Sequence, residues 1–261
     1  MPRHPGVILT RPAGESAAWM EGLQAHGHAV QSWPLIDVRP CADTTALENA
    51  LATWSRFQAV MFVSRSAVQH AFAAGTPAWG LTRCWSTGPG TRQALLDAGV
   101  PDSLLDSPPV QAAQFDTEAL WRVVHESVHA QQPVLLLRGS DADKPDSVAE
   151  GVGRDWLMQQ LQAKGVVVQT LAVYERDVPT WDAQRLQQAQ VAAQDGSVWL
   201  FSSTQSLAHL QQLMPDQDWR HARGLATHPR IAGAAQALGW GEVRVAKPTL
   251  PQVLSSLESF Q

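Results

Sequence analysis

The 261-residue sequence predicts an α/β fold of two similar domains, each with a parallel sheet flanked by helices. First, short apolar runs alternate regularly with amphipathic helical stretches, which is typical of βα units. Second, one corner occurs twice: "VMFVSRSAVQHAF" (60–72) and "VWLFSSTQSLAHL" (198–210) each combine a buried strand, a Ser and a helix. Third, 44% hydrophobic and 16% charged residues supply a core for a chain of this length.

The first half of the chain alternates strand and helix from residue 6 to residue 130. Gly27 and Gly99 stand directly after helical stretches, where a left-handed C-cap is expected. We predict no element for 41–57. The predicted strands are 6–10, 29–40, 58–64, 83–88 and 104–108, and the predicted helices are 13–27, 65–73, 89–99 and 117–130.

The second half repeats this alternation. Gly165 again follows a helical stretch and predicts its end. The apolar run after it is long, as is the run 29–40 after the first helix. The predicted strands are 133–139, 166–177, 197–203, 223–228 and 242–248, and the predicted helices are 150–165, 204–210, 185–194, 230–239 and 250–260.

The order of the elements repeats, so the chain consists of two similar halves. The segment 7–30 corresponds to 134–168, and "STGPGTRQALLDAGV" corresponds to "ATHPRIAGAAQALGW". The two long extended runs are natural crossings between domains. We therefore expect one domain from 1–37 with 174–261 and another from 40–172. Two crossing strands predict a bilobed molecule with a hinge and a cleft between the lobes.

Composition and charge restrict the function class. A net charge of −5 and a pI near 6.0 argue against general nucleic-acid binding. Cys41 and Cys84 form neither a disulfide framework nor a metal-binding pattern. The N-terminus lacks a signal-peptide core, and no apolar run reaches the roughly 18 residues of a membrane span. We expect a cytoplasmic protein with no nucleic-acid or membrane partner.

Eight short motifs in order carry a resemblance to a known family: "LTRP", "PLIDVRP", "VMFVSRSAV", "TGPGTRQALLDAG", "LLLRG", "VYERD", "VWLFSS" and "AAQALG…VRVAKPT". Nearly end to end, the sequence resembles the uroporphyrinogen-III synthases. The resemblance implies a bilobed α/β lyase of tetrapyrrole (haem) biosynthesis that uses no metal or cofactor. Its small-molecule substrate, hydroxymethylbilane, would lose water and close with ring D inverted, through a spirocyclic pyrrolenine. A monomer with transient contacts to neighbouring tetrapyrrole enzymes is expected.

The resemblance directs attention to anion sites, because hydroxymethylbilane carries eight carboxylates. Helix N-termini bind anions through free N–H groups and the positive end of the helix dipole. The Gly-rich turn "TGPGT" lets the backbone approach a ligand but lacks the lysine of a nucleotide-binding loop. The alternative is that each Ser only caps its own helix. The candidate substrate-binding residues are Arg11, Ser64, Ser66, Gly88, Thr91, Arg138, Ser202, Ser203, Thr227 and Arg230.

The corner "THPRIA" departs from the family pattern of Gly-Pro-Thr-Thr-like residues. His228 stands where Gly is common, and Arg230 and Ile231 stand where hydroxyls are common. Thr227 supplies a hydroxyl, and Arg230 can pair with a carboxylate directly. The departure keeps a second hypothesis open, an inactive bilobed module that binds tetrapyrroles or regulates.

Tyr174 is the single tyrosine. By resemblance it is the acid that assists departure of the hydroxyl, at the cleft edge of a crossing strand, and a phenol can donate that proton. The alternative is a packed Tyr with no chemical role.

Two patterns compete with this interpretation. Asp141 and Asp143 form an Asp-x-Asp, as in some metal-dependent glycosyltransferases. His125 and His129 lie one helical turn apart, as zinc ligands can. The Asp pair lies in a polar loop, where such pairs are common, and the His pair has no third ligand at useful spacing. We therefore expect no metal.

Overall fold

A computed structural model describes residues 5–109, 111–112, 115–141 and 152–260. In chain order its strands are β1 (Val7–Leu9), β2 (Val30–Ser32), β3 (Asp37–Pro40), β4 (Ala59–Phe62), β5 (Arg83–Ser86), β6 (Leu105–Asp106), β7 (Val134–Asp141), β8 (Val168–Asp177), β9 (Val198–Phe201), β10 (Arg223–Ala226) and β11 (Glu242–Val245). Its helices are α1 (Ala17–Ala25), α2 (Thr45–Ala52), α3 (Arg65–Ala73), α4 (Pro89–Asp97), α5 (Thr117–Val124), α6 (Val152–Ala163), α7 (Ala183–Ala192), α8 (Thr204–Leu213), α9 (Pro229–Ala237) and α10 (Leu250–Leu257).

The chain divides into two compact units. The first unit combines Met1–Asp37 with Asp177–Gln261, and the second unit is Val38–Arg176. In the described residues, the first unit carries a sheet with strand order β2-β1-β9-β10-β11 and the second a sheet with order β3-β8-β7-β4-β5-β6. The pairs from β2 to β11 and from β8 to β6 are parallel.

Burial on both faces of the sheet explains the apolar strands of the first unit. In β9, Trp199 and Phe201 pack on one face of the sheet, while Val198 and Leu200 pack on the other. Side chains alternate in a strand, so a strand that is apolar throughout is buried on both faces. The first face is rich in tryptophan: Trp199 makes edge contacts with Trp33, Trp219 and Trp240.

The second unit follows the same rule with smaller side chains. In β4, Val60 and Phe62 pack on the face covered by α3, while Ala59 and Met61 pack on the opposite face. The order β8-β7-β4-β5-β6 matches β2-β1-β9-β10-β11. In each sheet, the strand that begins one half of the chain (β7 or β1) lies beside the strand that precedes a Ser corner (β4 or β9). The predicted α/β fold with parallel sheets flanked by helices is confirmed.

The two long extended runs behave differently from each other. The run 29–40 splits into β2 and β3, which lie in different sheets and are separated by buried Trp33, Leu35 and Ile36. The run 166–177 forms one strand, β8, entirely within the second sheet. Residues 174–176, which we assigned by sequence to the first domain, pair with Gly139–Asp141 because β7 continues that far.

One helix of the second unit was absent from the sequence prediction. In α2 the buried side chains Leu47, Ala50 and Leu51 precede buried Trp54, at the helical spacing of three and four residues. Thr44 Oγ1 also donates to Glu48 across the first turn (2.7 Å). Both signals are present in the sequence. In the described stretches, no helix is both long and apolar enough to cross a membrane.

Candidate functional site

The strand orders mark one place in each unit where a ligand is expected, at the carboxyl ends of the parallel strands. We call this side of each sheet its edge. In parallel α/β sheets, ligands bind beyond the carboxyl ends of the strands, where the chain order reverses direction. That reversal lies between β1 and β9 in the first sheet and between β7 and β4 in the second. All ten candidate substrate-binding residues follow, or lie near the ends of, β1, β4, β5, β7, β9 and β10. Topology thus brings them to two edges, one per unit.

Tyr174 and Ser64 meet at the edge of the second sheet. The Tyr174 Oη lies 3.2 Å from the Ser64 Oγ, a long hydrogen bond in which either hydroxyl can donate. Ser64 is also the N-cap of α3, because its Oγ accepts the N–H of Ala67 (3.1 Å). Tyr174 is 6% exposed and packs into the core cluster of the α3 face. The phenol is therefore both a core side chain and the partner of a candidate site residue.

The first turns of α3 add two residues around this phenol. Ser66 is buried, and its carbonyl accepts a hydrogen bond from His70 Nδ1 (2.9 Å). The His70 ring lies over Tyr174 with centroids 5.5 Å apart. Ser66 thus supports His70 through its backbone.

The Gly-rich turn begins α4 without a side-chain cap. Gly88 is the N-cap in an extended conformation, and Pro89 is the first helical residue. A Cβ added at Gly88 would meet nothing within 4 Å. Thr91 is half-buried in the first turn, and Arg65 Nη2 lies 3.0 Å from where a Cβ on Gly90 would stand. This helix end combines open space with a nearby cation, two features that favour an anion.

Arg138 lies one residue past Leu137, the last β7 partner of β4. The residue is 9% exposed, so it is buried and not a surface arginine. Burial lowers the pKa of its guanidinium below the ordinary value, Arg176 lowers that pKa further, and Asp141 partly offsets both. Asp141 also pairs with Arg176, Oδ1 to Nη2, at 3.0 Å. An anion at this edge would stabilise the buried charge.

In the first unit, Arg11 follows β1 and stacks on the adjacent helix. Its Cζ lies 4.6 Å from the ring centroid of Trp19, a cation–π contact. Thr10, just before it, is buried and donates from Oγ1 to the carbonyl of Leu200 (2.8 Å). That bond joins β1 to β9 at the point where the chain order reverses.

Ser202 and Ser203 connect β9 to α8. Both are half-buried, and Ser203 is the N-cap whose Oγ accepts the N–H of Gln205 (3.1 Å). Ser203 therefore has the capping role that the sequence left open as an alternative. A serine oxygen can accept a second hydrogen bond or donate its own proton, so capping leaves room for a ligand.

The departing corner of the first unit is closed by its own histidine. His228 is the N-cap of α9, and its Nδ1 accepts the N–H of Arg230 (3.1 Å). Thr227 is half-buried, Arg230 is exposed, and Ile231 is buried in the core. His228, which by the family resemblance stands where glycine is common, thus occupies one N–H that a ligand could otherwise use.

The metal-binding alternatives find no support in the structure that is described. His125 donates from Nδ1 to the carbonyl of Trp121 (3.0 Å), and Asp141 pairs with Arg176. Asp143 lies outside the described residues. Among the described residues, no three or more His, Cys, Asp or Glu side chains come together as a metal site would require.

Three residues that we did not predict from the sequence lie near Tyr174 or Arg138 in the second unit: His70, Gly139 and Arg176. Gly139 lies inside β7, where a glycine often marks a bulge or a close approach, but the sequence prediction ended this strand at Gly139. His70 follows Ser66 by four residues, which places both on one helix face. Arg176 follows Tyr174 by two residues in "VYER", but nothing in the sequence indicated its pairing with Asp141.

Comparison with known proteins gives a consistent result. The family model for uroporphyrinogen-III synthase HemD matches residues 17–254. A uroporphyrinogen-III synthase of Synechococcus elongatus is 26% identical over 272 aligned positions, covering 97% of this chain and 94% of the relative. One from Salmonella typhimurium is 25% identical over 267 positions, covering 92% and 94%.

Solved structures agree on the fold. A uroporphyrinogen-III synthetase from Helicobacter pylori superposes with a TM-score of 0.61 at 15% identity, over 98% of this chain and all of that one (100%). A mutant uroporphyrinogen III synthase from Thermus thermophilus gives 0.54 at 13% identity, over 98% of both chains. The family match spans almost the whole sequence, and this chain belongs to the uroporphyrinogen-III synthase family.

Proposed function

We propose that this chain cyclises hydroxymethylbilane to uroporphyrinogen III, inverting ring D, as an active member of its family. The observation that carries the proposal is the position of the Tyr174 phenol. Its Oη lies 3.2 Å from Ser64 Oγ, near the carboxyl end of β4, where the strand order of the second sheet reverses. The reaction forms one carbon–carbon bond and releases water, so it involves no net oxidation or reduction. The protein must therefore supply a proton donor and a binding surface for a polyanion.

Tyr174 would be the catalytic acid. Its Oη donates a proton to the terminal hydroxyl of the bilane as the carbon–oxygen bond breaks, and water leaves. The resulting cation is attacked by the substituted carbon of ring D, giving the spirocyclic pyrrolenine expected from the family resemblance. After rearrangement and closure, the phenolate recovers a proton from the ring. The proton count balances, and the net product besides the macrocycle is water.

The remaining candidates would hold the carboxylates. Arg138 offers a buried cation, and the uncapped N-terminus of α4 offers the backbone N–H of Gly90 and the helix dipole. Holding the bilane folded would contribute much of the rate enhancement, because binding orients the reacting groups before the reaction and so removes much of the entropy cost of bringing them together. The proposed substrate-binding residues are Arg11, Ser64, Ser66, Gly88, Thr91, Arg138, Ser202, Ser203, Thr227 and Arg230.

The setting belongs to the same proposal. We expect a cytoplasmic monomer that needs no metal or cofactor, with transient contacts to neighbouring tetrapyrrole enzymes. Cys41 and Cys84 are both free thiols, which agrees with a reducing compartment. Size-exclusion chromatography with light scattering would test the monomer, since a dimer would double the 28.4 kDa mass.

Product analysis tests the activity itself. Hydroxymethylbilane would be generated in situ by its own synthase, and the oxidised products separated into type I and type III isomers. Predominantly type III product without added metal would support the proposal. Only type I, which forms spontaneously, would contradict it.

One observation favours the alternative of an inactive binding module: His228 caps α9 where the family commonly has glycine. An inactive module would give only type I product and would still bind a porphyrinogen. Tryptophan fluorescence quenching by uroporphyrin I, compared with the product assay, separates the two functions.

A further inference from the structure

The strand that carries Tyr174 is irregular at that residue. The register of β7 with β8 runs Arg138 to Ala172 and then Gly139 to Tyr174, so Val173 is an extra residue in β8. In a regular strand Val173 and Tyr174 would face opposite sides of the sheet. Here both pack into the cluster on the α3 face. The bulge therefore turns the phenol toward α3, as bulges beside functional sites often do.

Gly139 makes room for the ring. A Cβ built on Gly139 would lie 2.4 Å from Tyr174 Cε2 and 2.5 Å from Cζ, far inside any tolerated contact. Gly139 does not have a positive φ, so its backbone alone does not require glycine. The phenol ring occupies the space of the missing side chain.

The first turns of α3 hold the other side of the phenol. Ser64 Oγ is fixed by its capping bond to Ala67 and contacts the Oη of Tyr174. The His70 ring lies at 35° to the Tyr174 ring and is anchored to the carbonyl of Ser66. Because a carbonyl only accepts, His70 Nδ1 carries the hydrogen of that bond.

We infer that Gly139, His70 and Ser64 are positioning residues that fix the Tyr174 hydroxyl for proton transfer, with the β8 bulge as their common device. The inference rests on the proposed function, because it assigns Tyr174 as the acid. Gly139 and His70 act through the ring rather than on the substrate. Ser64 has both roles, since it is also one of the proposed substrate-binding residues.

The single tyrosine gives a direct readout. Full-length protein grown with 3-fluorotyrosine will show one fluorine resonance, because Tyr174 is the only tyrosine. We expect Gly139→Ala to shift that resonance and to lower kcat for type III formation by about tenfold to a hundredfold, with KM within about threefold, since ångström-scale misplacement is costly. His70→Ala should shift the resonance with a smaller loss in kcat, and His70→Phe, which keeps a ring, should restore part of it.

Matched variants separate positioning from general damage. Gly233→Ala is the control for the glycine change, because a Cβ there meets nothing within 4 Å, and it should leave resonance and kcat unchanged. In the Tyr174→Ala background, Gly139→Ala should cost no further rate, since the obstructing ring is gone. An equal further loss in that background would overturn the inference.

Each other outcome also decides the question. An unchanged resonance and kcat in folded Gly139→Ala would overturn the inference, as would a shifted resonance with unchanged kcat. If Gly139→Ala does not fold, His70→Ala and Ser64→Ala carry the same two readouts. Failure of the proposed function would appear differently, as only type I product from the unmodified protein, and the fluorine shift does not depend on that assay.

Discussion

The two strand–Ser–helix corners share one backbone and differ in what surrounds the serine. Ser64 and Ser203 both follow a buried strand in an extended conformation and both cap a helix with their side chain. Ser64 reaches the N–H three residues on and contacts the Tyr174 hydroxyl, whereas Ser203 reaches the N–H two residues on. The repeat thus supplies a common frame, and the second unit adds a phenol to it.

The N-termini of α4 and α9 also differ, and again the second unit has the more open site. Helix α4 begins at Gly88 with no side-chain cap, whereas α9 begins at His228, whose ring caps Arg230. Both helices have proline as their first residue, so the difference lies in one N-cap side chain. We infer that catalytic sensitivity is concentrated in the second unit, and four predictions test this asymmetry.

The largest effect is expected from Tyr174→Phe. Removing the hydroxyl removes the proposed acid and should lower the rate of type III formation by about a hundredfold, the lower end of what a positioned acid contributes. Product separation should show the type III share falling toward spontaneous type I. Unfolding by urea should change by about 1 kcal/mol or less, since one hydrogen bond is lost. A wild-type rate would leave Tyr174 as a packing residue only.

The serine pair gives the next effect. Ser64→Ala and Ser203→Ala each remove an N-cap, so each should lower the free energy of unfolding by about 1 kcal/mol. Ser64→Ala should also lower kcat by roughly fivefold, because the phenol loses a hydrogen bond worth about 1 kcal/mol. Ser203→Ala should act mainly on KM. Steady-state kinetics on both, with Ser64→Thr as the variant that keeps a hydroxyl, would expose the asymmetry, and equal kcat losses would contradict it.

The part of this asymmetry that local patterns encode was predictable from the sequence. The continuous apolar runs in "VMFVS" and "VWLFSS" predict the buried strands, and Ser with a following helical stretch predicts the corners. The bulge at Val173 was not predictable, because it arises from how β7 and β8 pair over long range. The partner of Tyr174 depends on that register, so its contact with Gly139 was not predicted. In α2 the apolar spacing and Thr44 were visible, and the helix could have been predicted.

The glycine–histidine pair should give a smaller effect that appears in binding. Gly88→Ser adds a hydroxyl that can cap α4, which should raise stability by a few tenths of a kcal/mol. The same hydroxyl competes with an anion for the helix end, where the dipole contributes about 1 kcal/mol, so KM should rise by about fivefold. His228→Gly should leave KM nearly unchanged, because the opened corner belongs to the less sensitive unit. The reverse pattern would locate the principal anion site in the first unit.

The smallest effect is on the local stability that each N-cap gives to its own unit. The alkylation rate of Cys84 measures it for the second unit. Burial raises the pKa of this thiol to about 12, so at pH 8 almost no thiolate is present and alkylation requires opening of the second unit. In a Cys41→Ser background, Ser64→Ala should speed alkylation of Cys84 by at most about fivefold, the factor that corresponds to 1 kcal/mol. Ser203 caps a helix of the other unit, so Ser203→Ala should leave the alkylation rate of Cys84 unchanged. Mass spectrometry would follow the alkylation of Cys84 in each variant. Equal acceleration by both variants would mean that the two units open together, and the asymmetry would then be confined to catalysis.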